Sequence, residues 1–276
     1  MTDANSDALV TTAWLAEHLD DPKVRPVEVD EDTEAYEENH VPGAVGWDWN
    51  ADLHHPVRRD YLGSDALREL LEASGVDDET TVVLYGGNDN WFAAYAYWLL
   101  TYRGFEAVRL LDGGRVKWEQ EGRPLETEVP NPPRRQLSPL SAGREELRAY
   151  RSDVVSGLHD VGFVDVRSPE EFSGEKLAPD HLPQEQPYVG GHIPGAKNIS
   201  WSDATREDGT FRSEEELRSI YDELLGRDEV IAYCRIGERA AHTWFVLHEL
   251  LGHSGARNYD GSWTEYGSLV DVPVER

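Results

Sequence analysis

A single cysteine, Cys234, stands between an apolar run and two arginines, and this segment holds the residues best suited to chemistry. Residues 229–233 resemble a buried strand, and the residues after Gly237 carry apolar side chains at helical spacing. A turn from strand to helix can point backbone amides at one atom, and the helix start adds positive potential. Arg235 and Arg239 add two permanent charges. We therefore predict a nucleophilic Cys234 whose pKa lies well below its usual value of about 8.5.

The alternative is a structural cysteine, because most lone cysteines are small buried side chains. A core cysteine is expected in mid-strand or on an apolar helix face, whereas Cys234 ends a strand and precedes an arginine. Its position therefore favours the nucleophile. One cysteine also excludes an intrachain disulfide and a thiolate-rich metal site, and His242, His248 and His253 lack the spacing of a helical zinc pair. We expect no metal and no cofactor.

The sequence contains an internal repeat, because four landmarks occur twice in the same order. They are PVEVD at 26–30, HVPGA at 40–44, TVVLYG at 81–86 and LDGG at 111–114, matched by FVDVR at 163–167, HIPGA at 192–196, EVIAYC at 229–234 and YDG at 259–261. We predict two homologous domains, residues 1–125 and 144–276. The proline-rich stretch 126–143 is predicted to be an extended linker, since proline fixes φ and removes a backbone donor.

Each half alternates between short apolar runs and amphipathic segments. Residues 81–85 and 229–233 are typical of buried parallel strands, and helical spacing is found in residues 64–74, 90–102, 213–225 and 238–251. Strands that alternate with helices predict an α/β fold, in which each domain has a parallel-stranded sheet flanked by helices on both faces. Ligands bind such sheets where strands end, and both Gly86 and Cys234 stand at such a position.

Three segments resemble signatures of the rhodanese family. CRIGER at 234–239 resembles the six-residue active-site loop, HIPGA at 192–196 the upstream signature and YDGSW at 259–263 the C-terminal one. The resemblance covers nearly the whole chain and is strongest to the tandem-domain thiosulfate sulfurtransferases. It implies two rhodanese-like domains, of which the second is catalytic. Gly86 occupies the place of Cys234 in the first domain, which the resemblance implies to be inactive.

The resemblance also implies a reaction in two halves. The Cys234 thiolate attacks the outer sulfur of thiosulfate, sulfite leaves, and the resulting persulfide passes its sulfur to cyanide or a thiol acceptor. Arg239 and Arg167 are the expected anion-binding residues, and Arg235 either assists them or points outward into an ion pair. Arg167 has an alternative role as the ion-pair partner of a glutamate in residues 170–171.

The rest of the loop is Ile236, Gly237 and Glu238, whose amides are expected to surround the sulfur. Many thiosulfate-using relatives carry lysine where this chain has Ile236, so Arg239 is left to supply that charge. His192 is expected to bond to backbone, and His242 to be structural.

Three other functions are compatible with these residues. A 3-mercaptopyruvate sulfurtransferase shares the tandem fold, but small uncharged residues follow its cysteine, whereas charged Arg235 and Arg239 favour an inorganic dianion. A cysteine-based phosphatase or arsenate reductase has the loop Cys-x5-Arg, one residue longer than residues 234–239 here. A non-catalytic rhodanese-like binding module usually lacks the cysteine, which holds only for the first half of this chain.

The chain is strongly acidic: its 276 residues include 54 Asp and Glu against 26 Lys and Arg, a net charge of −28. Such a field repels nucleic acid and anionic membranes, so we exclude both as partners. The acidic residues are spread along the chain, which favours adaptation to high salt over a surface for one acid-seeking partner. No apolar run reaches the ~18–20 residues of a membrane span. We expect a cytoplasmic protein whose partners are a small anionic sulfur donor and a small nucleophilic or thiol acceptor.

Overall fold

A computed structural model describes residues 7–177 and 186–276 of the chain. The chain divides into two compact units. Within the described residues, the first unit contains residues 7–144 and 205–211, and the second contains residues 145–204 and 212–276. The short segment 205–211 is therefore part of the first unit, although both of its neighbours in sequence belong to the second.

The first unit is built on a five-stranded parallel sheet with the strand order β1-β5-β4-β2-β3. Its strands are β1 (Leu9–Val10), β2 (Val24–Asp30), β3 (Val45–Asp48), β4 (Thr81–Tyr85) and β5 (Val108–Leu111). Its helices are α1 (Thr12–Glu17), α2 (Glu34–Glu38), α3 (Trp49–Asp52), α4 (Ser64–Ala73), α5 (Trp91–Tyr102) and α6 (Gly114–Gln120). Because parallel strands need crossover connections, helices separate most of these strands in sequence.

The second unit repeats this plan with a four-stranded parallel sheet in the order β7-β6-β8-β9. Its strands are β6 (Gly162–Asp165), β7 (Lys197–Asn198), β8 (Val230–Tyr233) and β9 (Ala256–Asn258). Its helices are α7 (Arg151–Gly157), α8 (Pro169–Ser173), α9 (Glu214–Ile220), α10 (Asp222–Leu225), α11 (Glu238–Phe245) and α12 (Ser262–Tyr266). A short π-helical turn, Val246–Leu250, extends α11. Strands β4 and β8 hold equivalent central positions in the two sheets.

The predicted α/β fold with parallel sheets and flanking helices is confirmed. Strand β8 is buried along its whole length, as a near-continuous apolar run in a covered parallel sheet should be. The four predicted helical segments are helical, although the segment 213–225 is divided into α9 and α10 at Tyr221. Residues 126–143 contain no helix or strand apart from one isolated bridge between His40 and Glu126. Among the described residues, no helix has both the length and the apolar character needed to cross a bilayer.

A buried tyrosine links the centre of each sheet to the repeated His-x-Pro-Gly-Ala motif. The hydroxyl oxygen of Tyr85 accepts a hydrogen bond from the amide of Val41 at 3.0 Å. In the second unit, the hydroxyl oxygen of Tyr233 accepts the equivalent bond from the amide of Ile193 at 3.1 Å. Both tyrosines are fully buried, so each phenol pairs with an amide that would otherwise lack a partner. The repeat in sequence is therefore also a repeat in hydrogen bonding.

Candidate active site

Cys234 follows the last residue of β8, and helix α11 begins four residues later at Glu238. The cysteine side chain is fully buried. Its Sγ accepts a hydrogen bond from the amide of Gly237 at 3.1 Å and donates one to Oε2 of Glu238 at 3.2 Å. The sulfur therefore lies between a backbone donor and a carboxylate, which is the hydrogen-bonding pattern of a neutral thiol.

The turn around the sulfur requires glycine at position 237. Gly237 has a φ of +99°, a region that side-chain-bearing residues rarely adopt, and it caps the start of α11. A Cβ atom at this position would lie 2.5 Å from the Cα of Asp260. Asp260 is itself held in place by Arg148, whose Nε and Nη2 donate to its carboxylate at 2.9 and 2.7 Å. The amide of Gly237 thus reaches the sulfur because another loop is packed against it.

The segment 259–263 holds the loop by its backbone. The hydroxyl oxygen of Ser262 accepts a hydrogen bond from the amide of Cys234 at 3.0 Å, and the amide of Trp263 donates to the Cys234 carbonyl at 3.0 Å. Ser262 has a φ of +51°, and its own hydroxyl donates to the carbonyl of Tyr259 at 2.7 Å. Ser262 therefore fixes Cys234, a role that the resemblance of residues 259–263 to a family signature did not reveal.

Arg239 is buried and paired with a carboxylate that the sequence reasoning also missed. Its Nη1 and Nη2 donate to the two oxygens of Glu171 at 2.8 and 3.0 Å. Burial alone lowers the pKa of Arg239, but the hydrogen bond to Glu171 and the nearby negative charges raise it overall. Burial likewise favours the neutral form of Glu171, but Arg239 holds the pKa of that carboxyl below its usual value. Both groups therefore remain ionised and form a bidentate ion pair.

Arg167 is also buried and points at the carboxylate two residues before it. Its Nε donates to Oδ1 of Asp165 at 2.9 Å, and its Nη2 donates to the carbonyl of Gly191 at 2.7 Å. The guanidinium lies 4.9 Å from the ring centroid of Trp263. The ion-pair partner is therefore Asp165, not a glutamate in residues 170–171. Arg235 is only 1% exposed, so the alternative that it points outward from the protein is wrong.

The electrostatic surroundings of Cys234 differ from those expected from the sequence. Burial raises the pKa of the Cys234 thiol to about 11, and the negative charge of Glu238 adds to the rise. The charge of Arg239 and an amide hydrogen bond from Ala240 lower the pKa, but their combined effect is smaller. The prediction of a lowered pKa is therefore wrong for the resting protein, because the sequence could not reveal the loss of solvent or the carboxylate beside the sulfur.

The surroundings of the other residues singled out in the sequence fit structural roles. Ile236 is partly exposed at the tip of the loop. His192 bonds to backbone as predicted, through Nδ1 and the carbonyl of Phe172 at 2.9 Å. His242 is buried on α11 with its ring edge-on to Trp201 at 5.3 Å between centroids. In the part of the chain that the structure describes, no group of three His, Cys, Asp or Glu side chains is placed to hold a metal ion.

The loop equivalent to the Cys234 loop in the first unit is closed around a glycine. Gly86 follows β4, and a Cβ atom added to it would lie 2.4 Å from the carbonyl oxygen of Val29. The Gly86 amide donates to Oδ1 of Asn90 at 3.0 Å, and Asn90 Nδ2 donates to the carbonyl of Leu111 at 2.6 Å. Asn90 therefore accepts a hydrogen bond from the Gly86 amide, as Ser262 does from the equivalent amide of Cys234 in the second unit.

The segment 205–211 packs beside this loop within the first unit. The amide of Phe211 donates to Oδ1 of Asp112 at 2.9 Å, and Asp208 accepts from Nζ of Lys117 at 2.6 Å. The hydrogen bond from Lys117 lowers the pKa of Asp208 to about 2, so the pair is charged at neutral pH.

Both halves of the chain match the model of the rhodanese-like domain, over residues 11–121 and 150–269. The chain belongs to the rhodanese family. The "Putative thiosulfate sulfurtransferase" of Mycolicibacterium smegmatis is 54% identical to this rhodanese over 274 residues, 99% of each chain. The "Sulfur carrier protein TtuD" of Thermus thermophilus is 50% identical over 281 residues, covering 99% of this chain and 98% of the relative. The wild-type structure of EanB matches this chain with a TM-score of 0.84 at 24% sequence identity. The match covers 99% of this chain and 70% of the EanB chain, and it shows that the two share a fold.

Proposed function

We propose that this rhodanese is a thiosulfate sulfurtransferase that carries sulfur on Cys234. The observation that supports it most directly is the position of the Cys234 sulfur, 3.1 Å from a loop amide in the turn between β8 and α11. Arg235 is buried in this turn and Arg239 at the start of α11, and a relative of 54% identity is named "Putative thiosulfate sulfurtransferase". The second domain, residues 144–276, performs the chemistry.

The reaction has two balanced halves. Sγ of Cys234 forms a bond to the outer sulfur of thiosulfate, the sulfur–sulfur bond of thiosulfate breaks, and sulfite leaves with the bonding electron pair. Cyanide or a thiol acceptor then attacks the outer sulfur of the persulfide, and the Cys234 sulfur leaves with its electron pair. The enzyme alternates between free and persulfurated forms and needs no cofactor, so ping-pong kinetics follow.

The charge of the site bears on the choice of donor. Two of the buried arginines of the second unit form ion pairs, Arg167 with Asp165 and Arg239 with Glu171, and Glu238 Oε1 lies 3.8 Å from Nε of Arg239. Arg235, which follows Cys234 in sequence, is buried as well, so cations are present near the sulfur within a protein of net charge −28. We propose that Arg239, Arg167 and Arg235 bind the sulfonate oxygens of thiosulfate. We also propose that the amides of Ile236, Gly237 and Glu238 surround the sulfur, and the Gly237 amide donates to Sγ at 3.1 Å.

The first domain, residues 1–125, is proposed to be catalytically inactive, with residues 126–143 as the linker. Gly86 replaces the nucleophile, and its surroundings leave no space for a side chain. The acidic composition supports a cytoplasmic enzyme of a salt-adapted cell that binds neither nucleic acid nor membranes. A relative of 50% identity is named a sulfur carrier protein, which supports a thiol on another protein as a further acceptor.

The test is the mass of the Cys234 peptide after incubation with thiosulfate. We expect the gain of one sulfur atom, its loss on addition of cyanide, and no gain in the Cys234→Ser variant. A Cys234→Ser variant that transfers sulfur at the wild-type rate would instead support a non-catalytic role for this residue.

The donor is tested by comparing kcat/KM for thiosulfate and 3-mercaptopyruvate. A higher value for 3-mercaptopyruvate identifies the alternative sulfurtransferase. Turnover of an aryl phosphate would support the phosphatase alternative, which the four-residue spacing from Cys234 to Arg239 disfavours.

A further inference from the structure

A buried carboxylate beside the sulfur is the feature of this site that sulfur transfer from an anion does not by itself explain. Glu238 is the first residue of α11 and is 1% exposed. Its Oε2 lies 3.2 Å from Sγ of Cys234, and its Oε1 lies 3.8 Å from Nε of Arg239. A glutamate at the start of a helix usually faces solvent, where it stabilises the helix through the dipole at little cost. Here the carboxylate is desolvated and would repel a dianionic donor, so its position calls for a chemical role.

We propose that Glu238 takes the thiol proton of Cys234 in the first half-reaction and returns it in the second, so that the sulfur is carried as a neutral hydropersulfide. This role rests on the proposed function and adds a catalytic residue to it. Glu238 touches the reacting sulfur directly, and the hydrogen bond runs from the thiol to the carboxylate, which is the direction of the transfer.

In the first half-reaction, the S–H bond of Cys234 breaks and its proton moves to Oε2 of Glu238. The sulfur attacks the outer sulfur of thiosulfate, and sulfite leaves as a dianion with the bonding pair. The outer sulfur, now bonded to Sγ, takes the proton back from Glu238. A thiol and a thiosulfate dianion thus become a hydropersulfide and a sulfite dianion, with no proton exchanged with solvent.

In the second half-reaction, the acceptor attacks the outer sulfur while the proton on that sulfur moves to Glu238. The bond between the two sulfurs breaks, Sγ leaves with the electron pair, and Glu238 returns the proton to it. Cyanide leaves as thiocyanate, and Cys234 is again a thiol hydrogen-bonded to the carboxylate.

The charges around Glu238 suit this role. The groups that face it are Cys234 from the loop and Arg239 from its own helix, and Glu171 of α8 binds the other edge of Arg239. His242 lies one turn further along α11. When Glu238 accepts the proton, the negative charge passes from its carboxylate to the sulfur that attacks thiosulfate, and the net charge of the Cys234–Glu238 pair is unchanged. The burial that raises the pKa of Cys234 keeps the thiolate scarce at neutral pH, so a nearby base increases the rate.

The experiment measures single-turnover release of sulfite after mixing the full chain with thiosulfate, across a range of pH, in wild type and Glu238→Gln. We expect a wild-type rate that is flat between about pH 6 and about pH 9, because the proton stays within the pair. We expect Glu238→Gln to be about 10²-fold slower near neutral pH, with a rate that rises about tenfold per pH unit as the thiolate forms through solvent. Glu238→Asp, which keeps a carboxylate at a greater distance, should be slower but retain the flat profile.

Glu214→Gln is the matched control, because Glu214 is also the first residue of a helix in the same unit but is exposed. Its rate and pH profile should equal those of the wild type. The proposal is overturned if Glu238→Gln retains the wild-type rate. It is also overturned if the wild-type rate itself rises tenfold per pH unit, and that measurement does not depend on whether any variant folds. The mass of the Cys234 peptide distinguishes a failure of the proposed function from a failure of the role proposed for Glu238. Wild type that gains no sulfur refutes the proposed function, whereas sulfur gain with an unchanged Glu238→Gln profile refutes only the role of Glu238.

Discussion

Replacing Gly86 by cysteine is a direct test of why the first domain has no nucleophile. A Cβ atom at this position would lie 2.4 Å from the carbonyl oxygen of Val29, far closer than an ordinary contact. Val29 lies within β2, whose neighbours β3 and β4 pair with it on both sides, so its backbone cannot move without disturbing both ladders. The loop cannot move away easily either, because the Gly86 amide and carbonyl are bonded to Asn90 and Arg115.

The expected cost follows from this crowding. Overpacking that shifts backbone costs about 1–3 kcal/mol, and the entropy that a glycine loses on folding offsets about 0.4–1 kcal/mol of it when it is replaced. We expect Gly86→Ala and Gly86→Cys each to lower the free energy of unfolding by about 1–2 kcal/mol. Gly63→Cys is the matched control, because nothing lies within 4 Å of the added atom, and it should change stability by only a few tenths of a kcal/mol.

The assays are urea unfolding, followed by circular dichroism, and the persulfide mass measurement in a Cys234→Ser background. We expect Gly86→Cys in that background to gain no sulfur from thiosulfate, because Asn90 occupies the loop amide and no arginine is present in residues 87–90. A sulfur atom gained by the introduced thiol of that double variant would refute the reasoning, and so would a Gly86→Ala protein that unfolds at the wild-type urea concentration.

Four further outcomes are expected. Glu171→Gln leaves the buried Arg239 cation without its carboxylate and should lower the free energy of unfolding in urea by about 3–5 kcal/mol. Adding Arg239→Met should recover part of this loss. Equal urea midpoints for wild type and Glu171→Gln would contradict the prediction. Because Arg239 lowers the pKa of Glu171, the pair stabilises the fold above the usual carboxyl pKa of 4.5 and loses this effect as pH falls through the lower folded value, so an acid titration should show a smaller loss in Glu171→Gln. The fraction of Cys234 thiolate, followed at equilibrium by its ultraviolet absorbance, should still rise above pH 9.0 towards about 11, and a plateau near 9.0 would show an ordinary thiol. The urea midpoint should rise between about 0.1 M and about 1 M KCl as self-repulsion is screened, and a fall would count against salt adaptation.

Contacts between residues far apart in sequence account for what the sequence reasoning missed. Glu171 lies 68 residues before Arg239, and Ser262 lies 28 residues after Cys234, so neither pairing has a local pattern. Glu238 was recognised as part of the loop, but a loop residue can point its side chain outward or inward. The direction of the Cys234 pKa shift depended on that choice and on burial, which is why the expectation from nearby arginines was wrong.

The sequence by itself determined the α/β class, the repeat and the place of Cys234 at the end of a central strand. These features follow from local periodicity, from two ordered sets of motifs and from the geometry of a strand–loop–helix turn. Each can be recognised from short stretches of consecutive residues. Only the tertiary structure decided which carboxylate each arginine meets, that the thiol is desolvated against Glu238, and that Gly86 has no room for a side chain. Electrostatic and steric effects depend on distances in space, and folding sets those distances through the packing of the whole unit.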